Sequence, residues 1–262
     1  MKIIVCIKQV PESNNVKFDP VTHNLVRSAS TGRINPYDKN AIEAALRLRD
    51  AVGGTVSVLT MGPPAAEETL RDGLAMGADN AYLLSSRAFG GADTLATGYT
   101  IAQAIRKIGQ VDLLVFGRQA VDADTGQVGP IVAELLGQPQ VTFASKIELL
   151  DAHTLHVTRD LDDRKQSIRL TLPAVLSVRS ELNTPRYETP VNIQDSFTKQ
   201  LTVWNEKDIA ADEQRIGLHG SPTVVTKVFA PENAGRQGQP LSGSPEEAVD
   251  QLINILQQQN LI

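Results

Sequence analysis

Apolar residues along this chain fall into two rhythms. Ile3–Ile7 is a continuous apolar run, the composition of a strand buried on both faces of a parallel sheet, and Thr55–Thr60, Ala81–Leu84 and the apolar run Val111–Phe116 read as further strands. Between them the spacing becomes helical. Ile42, Ala45, Leu46 and Arg49 share one face of Ala41–Asp50, and Leu70, Leu74 and Met76 supply core positions in Ala65–Met76. A third helix, capped by Asp93 or Thr94, carries Leu95, Gly98, Ala102, Ile105 and Ile108 on one side, and Val128–Leu136 is a fourth. Strand and helix alternate four times, which predicts an α/β fold with a doubly wound, mostly parallel sheet.

After Gly137 the pattern changes. Val141–Leu149, Thr154–Arg159, Ser167–Leu172 and Ala174–Val178 have strand composition, with the polar turn Asp160–Lys165 joining a hairpin; they read as antiparallel or mixed additions. Residues 16–34 form an excursion with strand-like pieces at Val16–Asp19 and Asn24–Arg27. Residues 183–200 read as a long exposed loop of the functional or partner-facing kind. A domain of residues 1–200 is therefore expected, followed by an arm, 201–262, too rich in Gly and Pro to build its own core. The arm ends in a helix opened by the capping box Ser244-Pro245-Glu246-Glu247, with Val249, Leu252, Ile253 and Leu256 in one stripe. Attachment to another subunit and folding back onto the sheet are both open for it.

In an open α/β sheet, ligands sit at the carboxyl ends of the strands. Four such ends gather on one edge here: Lys8 onward, Met61 onward, Arg87 onward, and Phe116–Pro130 with the sequence FGRQAVDADTGQVGP. In the last stretch Gly117, Gly126 and Gly129 permit close backbone approach, the start of the following helix favours phosphate, and Asp122, Asp124, Thr125 and Gln127 suit ribose hydroxyls or base edges. The same residues also suit an ordinary capped turn, as Lys8 suits a solvated strand end; convergence of the loops is what favours a nucleotide crevice. Asp38 is a plausible N-cap for the first helix. Asn35, held extended by Pro36, would present its side chain to the sheet edge.

Composition narrows the chemistry. A net charge of −5 over 262 residues, without a basic tail, gives no support for nucleic-acid binding. The single cysteine, Cys6, leaves no intrachain disulfide and reads as a buried hydrophobe; His153 and His156 are spaced unfavourably for a metal. No apolar run nears the ~18 residues needed to span a bilayer, and the start of the chain reads as a strand rather than a signal peptide, so a cytoplasmic protein is expected. GxGxxG, GxxxxGK[ST], H-E-x-x-H and G-x-S-x-G do not occur, and no catalytic nucleophile is identifiable.

The pieces KIIVCIKQVP, NPYDKNAIEAALRL, TMGPP with RDGLAMGAD, DLLVFGRQAVDADTGQVGP with PQVTFAS, and LPAVLSV with NTPRY, in this order, resemble the beta subunit of an electron-transferring flavoprotein over essentially the whole chain. The resemblance implies a Rossmann-like, adenine-nucleotide-binding fold lacking the dinucleotide glycine motif. It also implies an alpha subunit carrying FAD, and a nucleotide in the beta crevice. That nucleotide is AMP in the housekeeping type, which accepts electrons from acyl-CoA dehydrogenases. In electron-bifurcating relatives it is a second FAD that takes a hydride from NADH and splits the pair, one branch reaching ferredoxin. RAFGGADTLAT (Arg87–Thr97) and GLHGSPTVVTKVFAP (Gly217–Pro231) resemble the bifurcating type.

By family position the contacts would be Cys6, Asn35 to Asp38 (Tyr37 among them), Met61 and Asp122–Pro130, including Asp124, Thr125, Gly126, Gln127, Val128 and Gly129. Asp93, Thr94 and Thr97 are added for the longer reach of an FAD, with Lys8 as a ligand contact and Arg87 near the flavin ring. Pro190, Asp195 and Phe197 depart from the leucine anchor and lysine run that docks acyl-CoA dehydrogenases, which points to a different dehydrogenase partner. The alternative from another class is a universal-stress-like adenine-nucleotide-binding regulatory module.

Overall fold

The computed structural model describes residues 1–12, 32–226, 238 and 240–262. They divide into two compact units, Met1–Val225 and Thr226–Ile262. The strand-like pieces expected at Val16–Asp19 and Asn24–Arg27 lie outside the described residues.

The first unit is built on a nine-stranded sheet whose order across is β11 (Leu201–Trp204), β5 (Asn80–Leu84), β4 (Thr55–Met61), β1 (Lys2–Cys6), β6 (Leu113–Gly117), β10 (Ala174–Val178), β7 (Gln140–Asp151), β8 (Thr154–Asp160) and β9 (Lys165–Thr171). Its centre is β1 (Lys2–Cys6), flanked in parallel by β4 (Thr55–Met61) and β6 (Leu113–Gly117), so that Val5 faces Val58 on one side and Val115 on the other. The apolar runs are continuous because both faces are covered. Ile3, Val5 and Ile7 pack under α1 (Pro36–Val52) and α2 (Glu67–Ala75), while Ile4 and Cys6 pack under α3 (Thr94–Ile108) and α4 (Val128–Leu136). Helices on both faces make the sheet doubly wound. Beyond β4 comes β5 (Asn80–Leu84).

The later strands are less antiparallel than their composition suggests. β10 (Ala174–Val178) inserts between β6 and β7 (Gln140–Asp151), parallel to both. In this sheet only β8 (Thr154–Asp160) runs against the others, pairing antiparallel with β7 on one side and with β9 (Lys165–Thr171) on the other. A separate small ladder pairs β2 (Gln9–Pro11) with β3 (Gly32–Ile34).

Two further expectations change. Within 183–200 the chain forms α5 (Pro190–Ser196), because Thr189 accepts the Asn192 N–H at 3.2 Å and Pro190 fits the first turn. It is anchored on α2 by Arg71, which donates to the Ser196 carbonyl at 2.6 Å. The stretch after Gln200, read as arm, begins with β11 (Leu201–Trp204), which pairs in parallel with β5 and carries the first unit on to Val225. Trp204 closes that edge, its ring 5.0 Å from Tyr82 and covered by Lys107 Nζ at 5.0 Å.

In the second unit α6 (Pro245–Gln258) opens with the expected capping box: Ser244 Oγ accepts the Glu247 N–H and Glu247 accepts the Ser244 N–H at 2.8 Å. No helix among the described residues is long and apolar enough to cross a membrane.

Candidate functional site

Strand order places the topological switch between β1 and β6, since the chain moves from β1 to β4 on one side and later returns to β6 on the other. The carboxyl ends of β5, β4, β1 and β6 are therefore adjacent. They bring Arg87, Met61, Lys8 and the 118–127 loop to one edge, as expected from their place after each strand.

The switch is closed by Asp38. This residue is not the N-cap of α1: the helix begins at Pro36, with Asn35 at the cap position, because proline starts a first turn well and needs no N–H there. Asp38 thus lies inside the first turn, 5% exposed. Its carboxylate accepts the Lys8 N–H at 2.8 Å and the Gly117 N–H at 3.2 Å, tying together the two chain segments that leave the sheet on either side of the switch. Burial pushes its pKa up to about 7, against the lowering effect of hydrogen bonds from Asn35, Lys8 and Gly117. Gly117 has to be glycine, since a β-carbon there would collide with the Asp38 carboxylate and the main chain of Tyr37.

Asn35 is 1% exposed rather than presented at the edge. Its amide donates to the Gln119 carbonyl at 2.8 Å and accepts the Val121 N–H at 3.1 Å, so it shapes the turn of the 118–127 loop from below. The loop then rises into solvent: Asp122, Asp124, Thr125 and Gln127 are exposed. Lys8 Nζ contacts both carboxylate oxygens of Asp122 at 2.7 Å, bridging the mouth of the crevice. Asp124 and Gly126 both take left-handed backbone conformations, φ 56° and 61°. Gln119, absent from the expected contacts, fixes the first of these by donating to Asp124 Oδ1 at 2.5 Å. α4 then begins without a side-chain cap, leaving its first N–H groups to other acceptors. Gly129 is buried where a β-carbon would press on the Phe116 ring at 3.3 Å.

The start of α3 joins this wall through Thr94, whose hydroxyl donates to Gln127 Oε1 at 2.8 Å. Thr97 lies half-buried one turn on, and Leu95, expected in the core stripe, is exposed at 43% beside the cap. Asp93 is the cap itself. One oxygen accepts the Leu95 and Ala96 N–H groups at 2.9 and 3.0 Å; the other accepts the Thr223 N–H and hydroxyl at 3.2 and 2.9 Å. With both oxygens engaged, its side chain acts on the shape of the wall. Cys6 also differs from a direct side-chain contact: it is 6% exposed in the core below α3 and α4, and burial raises its thiol pKa steeply. Met61 is half-buried at the end of β4, and Tyr37 is half-buried beside Gly117. Arg87 is exposed in the short 3-10 turn Arg87–Phe89, two strands beyond β1. His153 lies in the β7–β8 turn and His156 Nδ1 contacts Glu148 at 3.1 Å.

What the arrangement offers is a cradle: glycine approaches, helix-start amides, and hydroxyl and carboxylate acceptors on one sheet edge. Comparison with known proteins gives the family. The model of the electron transfer flavoprotein domain matches residues 22–209. The chain belongs to the electron transfer flavoprotein family. It is 45% identical, over the full length of both chains, to the caffeyl-CoA reductase-Etf complex subunit CarD of Acetobacterium woodii. It is also 45% identical, again over the full length of both, to the electron transfer flavoprotein subunit beta of Clostridium acetobutylicum. Protein FixA of Azorhizobium caulinodans is 41% identical over 97% of this chain and 92% of its own. Within the electron transfer flavoprotein family, the kinship is thus with beta subunits, whose fold accounts for the mostly parallel sheet.

Proposed function

We propose that this chain is the beta subunit of a cytoplasmic electron transfer flavoprotein that holds FAD in the crevice at the β1/β6 switch. Together with an alpha subunit, it passes electrons between NADH or a flavin dehydrogenase and an acceptor, by bifurcation to ferredoxin. The observation that carries the reading is the breadth of the wall. Residues expected to touch the nucleotide are spread from the end of β6 to the end of β5, three strand spacings or about 14 Å. A dinucleotide covers such a span; a mononucleotide covers less of it. The left-handed turn at Asp124 and Gly126 and the uncapped start of α4 fit a phosphate-bearing group, and Thr94, Asp122 and Gln127 offer hydrogen bonds to its hydroxyls.

FAD would supply the redox chemistry; the chain's residues bind it, orient it and exclude water. The arm of the second unit, with the apolar stripe of α6, is proposed to pack on the alpha subunit, and the altered 189–198 stretch to select a dehydrogenase. The test is to purify the chain with its alpha subunit, denature the complex and identify the released nucleotides. Two FAD per heterodimer supports the reading. One FAD with one AMP makes the protein a simple carrier with structural AMP, and absence of any nucleotide from this subunit defeats both.

A further inference from the structure

Arg118 stands immediately after β6, and its surroundings differ from those of the other half-buried arginines. Arg49, Arg71, Arg179 and Arg186 each pair with carboxylates, and Arg159 donates to Gln166 and Thr142. Arg118 has neither a carboxylate nor a side-chain hydrogen bond among the described residues, and its Nε is buried without an acceptor. The chain does not lack acids, with 30 Asp and Glu against 25 Lys and Arg. Asp160, at the end of β8, and Glu181, just after β10, are both committed to Arg179, and Asp38 is committed to the Lys8 and Gly117 N–H groups.

The guanidinium is also built upon. It lies over the Phe143 ring, 5.4 Å from ring centroid to guanidinium carbon. Phe143 occupies the bulge between β7 and β10 with φ 59°, a conformation that bulky residues adopt only where the surroundings enforce it. Its N–H reaches Ser177 Oγ at 3.4 Å. A planar cation held over an aromatic ring is ready for a two-toothed oxyanion. The contact with Phe143 places it across β10 toward β7, on the far side of β6 from the nucleotide crevice.

We propose that the Arg118–Phe143 platform receives a carboxylate side chain of the partner subunit. The proposal rests on the reading of the chain as one half of a heterodimer. If the wild-type chain forms no complex with an alpha subunit, that reading fails first. Its own test uses the intact heterodimer with Arg118→Gln and Arg118→Lys, measuring the dissociation constant, the nucleotide content and the melting temperature. Arg118→Gln is expected to weaken association about tenfold or more while leaving nucleotide content unchanged. Arg118→Lys, which keeps charge and stem but lacks the planar fork, is expected to recover only part. Loss of nucleotide in either variant would move the oxyanion into the crevice and overturn the proposal. So would wild-type association in Arg118→Lys, the variant that decides if Arg118→Gln does not fold.

Discussion

The Asp38 carboxylate accepts the N–H of Gly117 at 3.2 Å, joining the first turn of one helix to the end of a strand 79 residues further on. The same group holds Lys8, so one buried carboxylate sets the width of the crevice mouth. Asp38→Ala is expected to leave two partly buried N–H groups without their acceptor and to destabilise the protein by about 2 kcal/mol in chemical denaturation. Its pKa is raised from 3.8 to about 7 by burial, so the folded state binds the proton more tightly than the unfolded chain. This contribution to stability is complete below pH 3.8 and is lost as pH rises through 7. Denaturation midpoints measured across that window should fall more steeply in the wild type than in Asp38→Asn, where Asp72, raised to about 6 by burial, still titrates; equal slopes would show that Asp38 does not titrate there.

Thr94 and Gln127 touch only through an exposed hydrogen bond, so the pair should matter to ligand and little to stability. Thr94→Val is predicted to change folding stability by less than about 0.5 kcal/mol. Nucleotide affinity should fall about five- to tenfold, read by titrating the stripped heterodimer with FAD. Unchanged affinity would remove Thr94 from the binding wall.

Asp93 caps α3 and holds Thr223 with the same carboxylate. Asp93→Ala should cost about 1 kcal/mol of stability, with a larger share lost locally as faster amide exchange at Leu95, Ala96 and Thr223. Burial opposes the charge, but hydrogen bonds from Ala96, Thr223 and Leu95 outweigh it and hold the carboxyl below its ordinary value. Its contribution is therefore present above pH 3.8 and lost as pH falls through the lower folded-state value. An acid titration of exchange rates at these amides checks the sign.

Glu43 is 3% exposed and pairs with both Arg47 and Arg186 at 2.7 Å. Burial disfavours its charge, yet the hydrogen bonds from Arg186 and Arg47 keep its pKa below the usual carboxylate value. Glu43→Ala would leave Arg186 paired with Asp50 alone, at 3.1 Å, and is expected to cost about 2 kcal/mol, measured by thermal or denaturant unfolding. Since Arg186 precedes the fully presented Tyr187, the loop ahead of α5 should become protease-sensitive in the same variant, and an unchanged cleavage pattern would count against this anchoring role.

Much of the core fold was legible because its signals are continuous. Ile3–Ile7 and Leu113–Phe116 are apolar without a break, which only a sheet covered on both faces accommodates, and Gly137 closes α4 with a left-handed turn. α5 was not legible, because its apolar residues Val191 and Ile193 face solvent and leave no buried stripe to detect. β11 was hidden by its shortness and its position at an edge. The site followed the same division. Its glycines and polar residues stood out within their loops, while the joints between them, Lys8 with Asp122 or Asn35 with Gln119, link positions 114 and 84 residues apart and follow only from strand order. Asn35 shows the consequence: expected at the surface, it is buried because the 118–127 loop folds over it.

Trp204 is the one tryptophan in the chain, and it sits at the β11 edge against Tyr82 and Lys107, with β5, β4 and β1 between it and the 118–127 loop. The protein therefore carries a single indole fluorophore at a known place in the sheet. A flavin bound at the switch would absorb in the range where this indole emits, so quenching of its emission would report loading of the crevice, and the colour of the light that remains would report whether the edge strand is still docked.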